Sequence, residues 1–312
     1  MIVLHPSLTE DLIEFQSWDE IVNRPAFARE GVDLATTKLL RPIGIYPRFR
    51  ESVGCGLKSC HRPHRRGLVV LTADGEEVNI GHLCGRKHFP EEFGVYWNMA
   101  QRYTARRVQV DAIRQLKTVA RRHLARIEEL RAQDNGGAWI EQAMQRLRNA
   151  IPGDAHMALC EAARRGEIDV YEEVRLRGEE ADMQRHFAVR TSTGGSGSGV
   201  RREPRGRIEG AMIWRKEPHV ALASLANDIN EVLVVDPLNC HRKRLPWAAD
   251  VATQAESRLA ECEKLIEAGR QFFTDENIYR LRFLPRIFQS SRRALERLRF
   301  HMVVPSSKSR AA

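Results

Sequence analysis

Lysine is scarce in this chain, and cysteine scarcer still. Of 312 residues only six are cysteines. Three of them lie alone in apolar stretches (Cys160, Cys240, Cys262) without paired spacing, which excludes a disulfide framework and implies inert thiols in a reducing compartment. No apolar run approaches the length needed to span a bilayer, and the start, MIVLHPSLTEDLIEF, has neither a basic n-region nor a long apolar core. Cytoplasmic placement and no membrane partner are therefore expected. Familiar catalytic signatures are missing too: G-x-x-x-x-G-K-[ST], H-E-x-x-H and G-x-S-x-G do not occur, which lowers the expectation of an enzyme.

Arginine is what the chain has in place of lysine, at roughly five to one, and the net charge is +9 with a pI near 9.5. The guanidinium fork matches phosphate bidentately, so the balance favours a polyanionic partner. Many of these arginines alternate with glutamates on solvated helix faces, and the count alone does not establish such a partner.

One stretch implies a specific chemistry. In CGLKSCHRPHRRGLVVLTADGEEVNIGHLCGRKHF, Cys55 and Cys60 precede a β-hairpin made of Gly67–Thr72, an Asp74-Gly75 turn and Glu77–Ile80. Gly81 then breaks the strand, and HLCGRKHF opens a helix with Cys84 and His88 one turn apart. Cys55, Cys60, Cys84 and His88 make a Cys3His set suited to tetrahedral Zn2+. Four residues separate the first two thiols, so His61 or His64 can take the place of Cys60, and His82 competes for the second half. The bland alternative is three reduced cysteines in a small core.

This order of knuckle, hairpin and helix-borne ligands resembles the treble-clef zinc fingers. It is also similar to uncharacterised zinc-finger proteins of bacteria and their phages, which share the HRRG start, the valine-rich strand and the IG-x-x-CG turn. The resemblance covers about a tenth of the chain. It implies a fold element and a metal, and by extension a regulatory or defence-related factor.

The same frame admits two activities. As a binding module, Arg62, Arg65, Arg66, Arg86 and Lys87 form a basic rim that pairs with phosphates. As a nuclease resembling the His-Asn-His group, His64 would be the general base, Asn79 would orient water and His88 would hold a divalent cation. The zinc reading claims His88 first, so no catalytic residue is assigned. A second basic site, Arg201, Arg202, Arg205 and Arg207, contains PRGR, which resembles the core of an AT-hook and points to DNA more than RNA. Ile208 stands where that core closes with a further proline, and a merely soluble linker is the better explanation. A third cluster, His241 to Arg244 before Trp247, has the composition of an ordinary helix-entry loop.

The expected architecture is mainly α, a helical bundle or coiled-coil-like set of helices, with a small α+β zinc-finger module at residues 1–95. Residues 8–15 are expected as a short helix, Ser17 and Glu20 as a capping box, and Leu39–Phe49 as an edge or irregular strand. A long helix should run from Pro90 to about Arg131, followed by Ala138–Ala150 and a third helix through Ala163. Further helical pieces should reach Phe187, completing a helical region at 96–188. Residues 189–207 are expected as a flexible basic linker. Residues 208–303 then form a C-terminal helical region: a strand-like piece at Ile208–Trp214, helices at Pro218–Val235 and Ala248–Phe273, and a last helix to about His301, restarted near Pro285. A disordered tail follows at 304–312. The partner is nucleic acid, or else a protein docked on the helical faces.

Overall fold

The computed structural model describes residues 12–165, 169–176, 178–179, 200–241, 243–284 and 289–302. It is mainly helical with a small four-stranded sheet near the N-terminus. None of its described helices is long and apolar enough to cross a membrane. The chain divides into two compact units, one through residue 112 and one from Ile113.

In the first unit β1 (Ile13–Glu14) pairs in parallel with β2 (Leu39–Tyr46), and β3 (Gly67–Thr72) and β4 (Glu77–Gly81) follow in antiparallel order. β3 has no polar alternation because both of its faces are covered, which a half-buried strand would not tolerate. Leu68 and Val70 share a core with Val78, Ile80, Phe93 and Trp97, while Val69 packs with Ile43, Tyr46 and Phe49. Each such side chain contributes about 1.5–3 kcal/mol on burial.

β2 shifts register around Arg41 and Pro42, where the amide that proline lacks costs no ladder bond. It is irregular as expected, but it is not an edge, because β1 covers it. Ile13–Glu14 is accordingly strand and not part of a helix; residues 8–11 lie outside the described set. Helix α1 (Trp18–Val22) carries the expected cap: Ser17 Oγ accepts from the Glu20 amide at 3.4 Å, and the Glu20 carboxylate accepts from the Gln16 amide at 3.1 Å. Helix α2 (His82–His88) follows β4 directly, and α3 (Pro90–Ala132) starts on a proline, whose missing amide is harmless in the first turn.

The second unit holds α4 (Gly137–Ala150), α5 (Gly153–Arg165), the hairpin β5 (Asp169–Arg175) and β6 (Val200–Arg207), then α6 (Pro218–Leu233), α7 (Arg244–Phe272), α8 (Asp275–Arg280) and α9 (Gln289–Met302). Ile127 and Leu130 of α3 share one core with Ile140, Met144, Leu222, Ile229, Ile266 and Phe272. Lys117, which interrupts the apolar stripe of α3, donates to the Val235 carbonyl just past the end of α6 at 2.7 Å, where a cation is favoured.

Three expectations fail here. Residues 169–175 are strand, not helix, because a partner about thirty residues away pairs with them, and strand propensity depends on such neighbours. That partner is Val200–Arg207, so the second half of the expected linker is ordered; residues 191–199, like 180–187 and the tail, lie outside the described set. Ile208–Trp214 is not a strand either. After Gly210, in the left-handed region at φ 68°, Ala211–Trp214 makes one 3-10 turn whose Ala211, Ile213 and Trp214 fill the core.

Candidate metal centre and basic rim

Cys55 and Cys60 sit on a tight loop laid against the sheet. Val53 and His64 exchange backbone bonds at 2.8 and 2.9 Å, and the Cys55 amide donates to the Arg62 carbonyl at 3.1 Å, closing the loop at its neck. Gly56 is tied to β4 through the Asn79 carbonyl at 2.9 Å. Directly after Cys60, His61 takes φ 44°, a left-handed value that histidine tolerates better than most residues. The chain thereby reverses, and the four-residue gap brings both thiols to one point.

Cys84 enters from the first turn of α2. The three sulfurs lie within 4.8 Å of one another, with Cys60 Sγ and Cys84 Sγ 3.2 Å apart, and all three thiols are free. A tetrahedral zinc with bonds of about 2.3 Å sets its sulfurs about 3.8 Å apart, so small side-chain adjustments suffice. Burial raises the Cys55 pKa against the amides of Gly81 and Leu57, which donate to its sulfur. Cys84 is pushed up to about 12, first by burial and then by the neighbouring sulfurs. Burial also works to raise Cys60, but the Arg62 amide, the two thiols and the Arg62 charge outweigh it and hold Cys60 low. Three crowded sulfurs cannot all ionise unaided. A divalent cation inverts that balance, and the donor set fits a thiophilic metal.

The histidines sort differently from the expected set. His88 ends α2 and falls outside the sulfur cluster. One helical turn separates neighbours at i and i+4 by about 5–6 Å, and the loop thiols meet the Cys84 turn, not the next. His82 is buried, with its ring 4.4 Å from that of Trp97 and Nδ1 3.5 Å from Arg66 Nη2. His64 has both nitrogens engaged: Nδ1–H donates to the Arg62 carbonyl at 3.1 Å, leaving Nε2 to accept from the Tyr46 hydroxyl at 2.6 Å. Asn79, 2% exposed, donates to the Gly54 carbonyl at 2.7 Å. The His64 and Asn79 of the nuclease reading are therefore spent on bonds that hold the knuckle to the sheet, and among the described residues no hydrogen bond joins either of them to His88.

Arg62, Arg65, Arg66, Arg86 and Lys87 are all exposed, and among the described residues none has a carboxylate partner. Sequence reasoning missed Arg48, Arg50 and Lys58, equally exposed on the same loop; residues 48–66 hold six Lys or Arg against the single acid Glu51. The signal was visible as that local imbalance. It missed Tyr46 as well, for which no local signal exists.

Three of the four arginines of the second basic stretch, Arg201, Arg202 and Arg205, are spent internally. Arg201 pairs with Glu203 at 2.6 Å, Arg202 with Glu173 at 3.4 Å, and Arg205 with Glu172 at 2.5 Å, while the Arg207 carbonyl accepts from Arg280 at 2.7 Å. An AT-hook arm needs an extended, unpaired backbone, and this one is a strand. In the third cluster Arg242 lies outside the described residues, and His241, Lys243 and Arg244 are exposed at the start of α7.

The fold and site together define a mainly helical chain with a sheet-borne module in which three cysteines could hold a metal ion. No family model matches the chain, and no curated protein or solved structure matches it either.

Proposed function

We propose that the N-terminal unit is a zinc-bearing module that binds nucleic acid, DNA in preference to RNA, through its basic rim and without catalysing a reaction. The observation behind this reading is a coincidence of place. Thiols from the knuckle and from α2 converge, and those same two elements bear exposed arginines, so a metal joining Cys60 to Cys84 would also fix Arg62 relative to Arg86. Zinc would supply cohesion that so small a sheet lacks. His88, half-buried and without a side-chain partner among the described residues, is the fourth ligand we favour over water. Reduced thiols suit a reducing compartment, which agrees with a cytoplasmic protein. The resemblance to bacterial and phage zinc fingers extends the reading to a regulatory or defence role.

A protein-interaction scaffold is the second reading. It is favoured by Val234 and Leu238, exposed at 78% and 57% just past α6. Metal analysis with a salt titration of nucleic-acid binding separates the two, because phosphate contacts weaken steeply with salt and an apolar interface does not. One zinc per chain with a steep salt slope supports the first. No binding at low salt shifts the assignment to the scaffold.

A further inference from the structure

Within the rim, one cluster has a geometry more specific than a scatter of surface charge. The His82 amide donates to the Arg66 carbonyl at 3.2 Å, extending the β3–β4 ladder one position beyond Gly67 and Gly81. Arg66 and His82 are thus cross-strand neighbours, with Arg66 Nη2 3.5 Å from His82 Nδ1. Arg86 lies four residues after His82 on α2 and shares its face. Arg66 at the end of the loop and His82 and Arg86 on one face of α2 are therefore placed as neighbours.

His82 is only 8% exposed and its ring lies against Trp97, so it forms a fixed floor. Both guanidiniums are exposed above it, and neither has a carboxylate partner among the described residues. Two unneutralised cations flanking one imidazole repel each other, and an anion between them relieves that cost. The contrast with the second unit sharpens the point: there Arg148, Arg205 and Arg258 each meet a glutamate or aspartate.

We propose that Arg66, His82 and Arg86 form a subsite for one phosphodiester group. This rests on the nucleic-acid reading for the identity of the ligand, though not for the existence of the anion site. Two guanidinium forks can each take a non-bridging oxygen, and the exposed Arg62, Arg65 and Lys87 continue the positive charge of the rim beyond them. Trp97 holds the imidazole in place through its ring.

The test uses the full chain as purified, titrated with inorganic phosphate and, separately, with a thymidine dinucleotide monophosphate, at ionic strength held constant with chloride. NMR follows the His82 ring and the Nε groups of Arg66 and Arg86. Saturable shifts at these three residues are expected with both probes, weakened at least tenfold by Arg86→Gln, partly restored by Arg86→Lys and little changed by Arg121→Gln, an exposed cation of the second unit. Arg86 is exposed, and an unchanged amide spectrum elsewhere shows that the variant folds. Shifts that track ionic strength alone, or that persist in Arg86→Gln, overturn the subsite. A response to phosphate without one to the dinucleotide overturns the diester assignment. Failure of longer nucleic acids to bind while both small probes do would remove the polyanion reading and leave the subsite standing.

Discussion

Two arginine-rich stretches, HRPHRRG at residues 61–67 and VRREPRGR at 200–207, look alike as strings and are unlike as surfaces. In the first, Arg62, Arg65 and Arg66 project from a knuckle and have no carboxylate partner among the described residues. In the second, a strand partner at 169–175 brings Glu172 and Glu173 across to Arg205 and Arg202. What separates an unneutralised basic surface from a self-satisfied one is thus the charge of the neighbour across the fold. Arginine count does not report that neighbour.

The comparison breaks most severely through the metal. Cys84→Ser should reduce bound zinc from one per chain to none, as read by elemental analysis, and should lower the melting temperature of the first unit while leaving the second unmoved, because the second holds no part of the thiol cluster. His88→Ala should weaken zinc affinity by about tenfold and keep the stoichiometry, as loss of one ligand of four with water taking its place. Full zinc retention in Cys84→Ser would remove the metal from the account.

A smaller effect comes from the seat of the knuckle. A Cβ on Gly67 would fall 2.2 Å from the Ile80 carbonyl oxygen and 2.4 Å from the Tyr46 hydroxyl that holds His64. Gly67→Ala should therefore destabilise the first unit by about 3 kcal/mol, measured by chemical denaturation.

Acid acts on the same seat. Burial holds the His64 pKa below its ordinary value, opposed by the bond to the Arg62 carbonyl. Below about pH 6.5 the unfolded chain takes up a proton that folded His64 resists. This contribution is complete above that pH and is lost as pH falls through the depressed folded value. His64→Gln should flatten the pH dependence of first-unit stability below about pH 6.5. An unchanged slope would show that His64 is not the titrating group.

The smallest effect belongs to the other stretch. Glu173→Gln breaks a largely exposed pair, so stability should change by less than about 1 kcal/mol in a thermal melt. Its larger consequence is to free Arg202, which makes it the cheapest way to convert the satisfied surface toward the unsatisfied one.

Much of the first unit could be read in the sequence because its determinants are local. The β3–β4 hairpin follows from GLVVLT, a turn at Asp74-Gly75 and EVNI, and the long helix from apolar spacing after Pro90. The three thiols were legible through their placement around that hairpin. That His88 falls outside the three-sulfur cluster was not, because a helix periodicity says which face a residue shares and not which turn the loop thiols reach. The β5–β6 hairpin was hidden for a different reason: its strands are separated by residues 176–199, and DVYEEVR reads as helix until VRREPRGR lies beside it. The engagement of His64 by Tyr46 was equally invisible, since those residues meet only across the sheet.

The most direct test of the central contrast is the salt dependence of duplex binding for three proteins: the parent chain, Arg65→Gln with Arg66→Gln, and Arg201→Gln with Arg202→Gln. The plot of log affinity against log salt should lose about two units of slope in the first variant, one counterion-release contribution per phosphate contact, and should keep the parent slope in the second. A slope lost in the hairpin variant and kept in the knuckle variant would contradict the account.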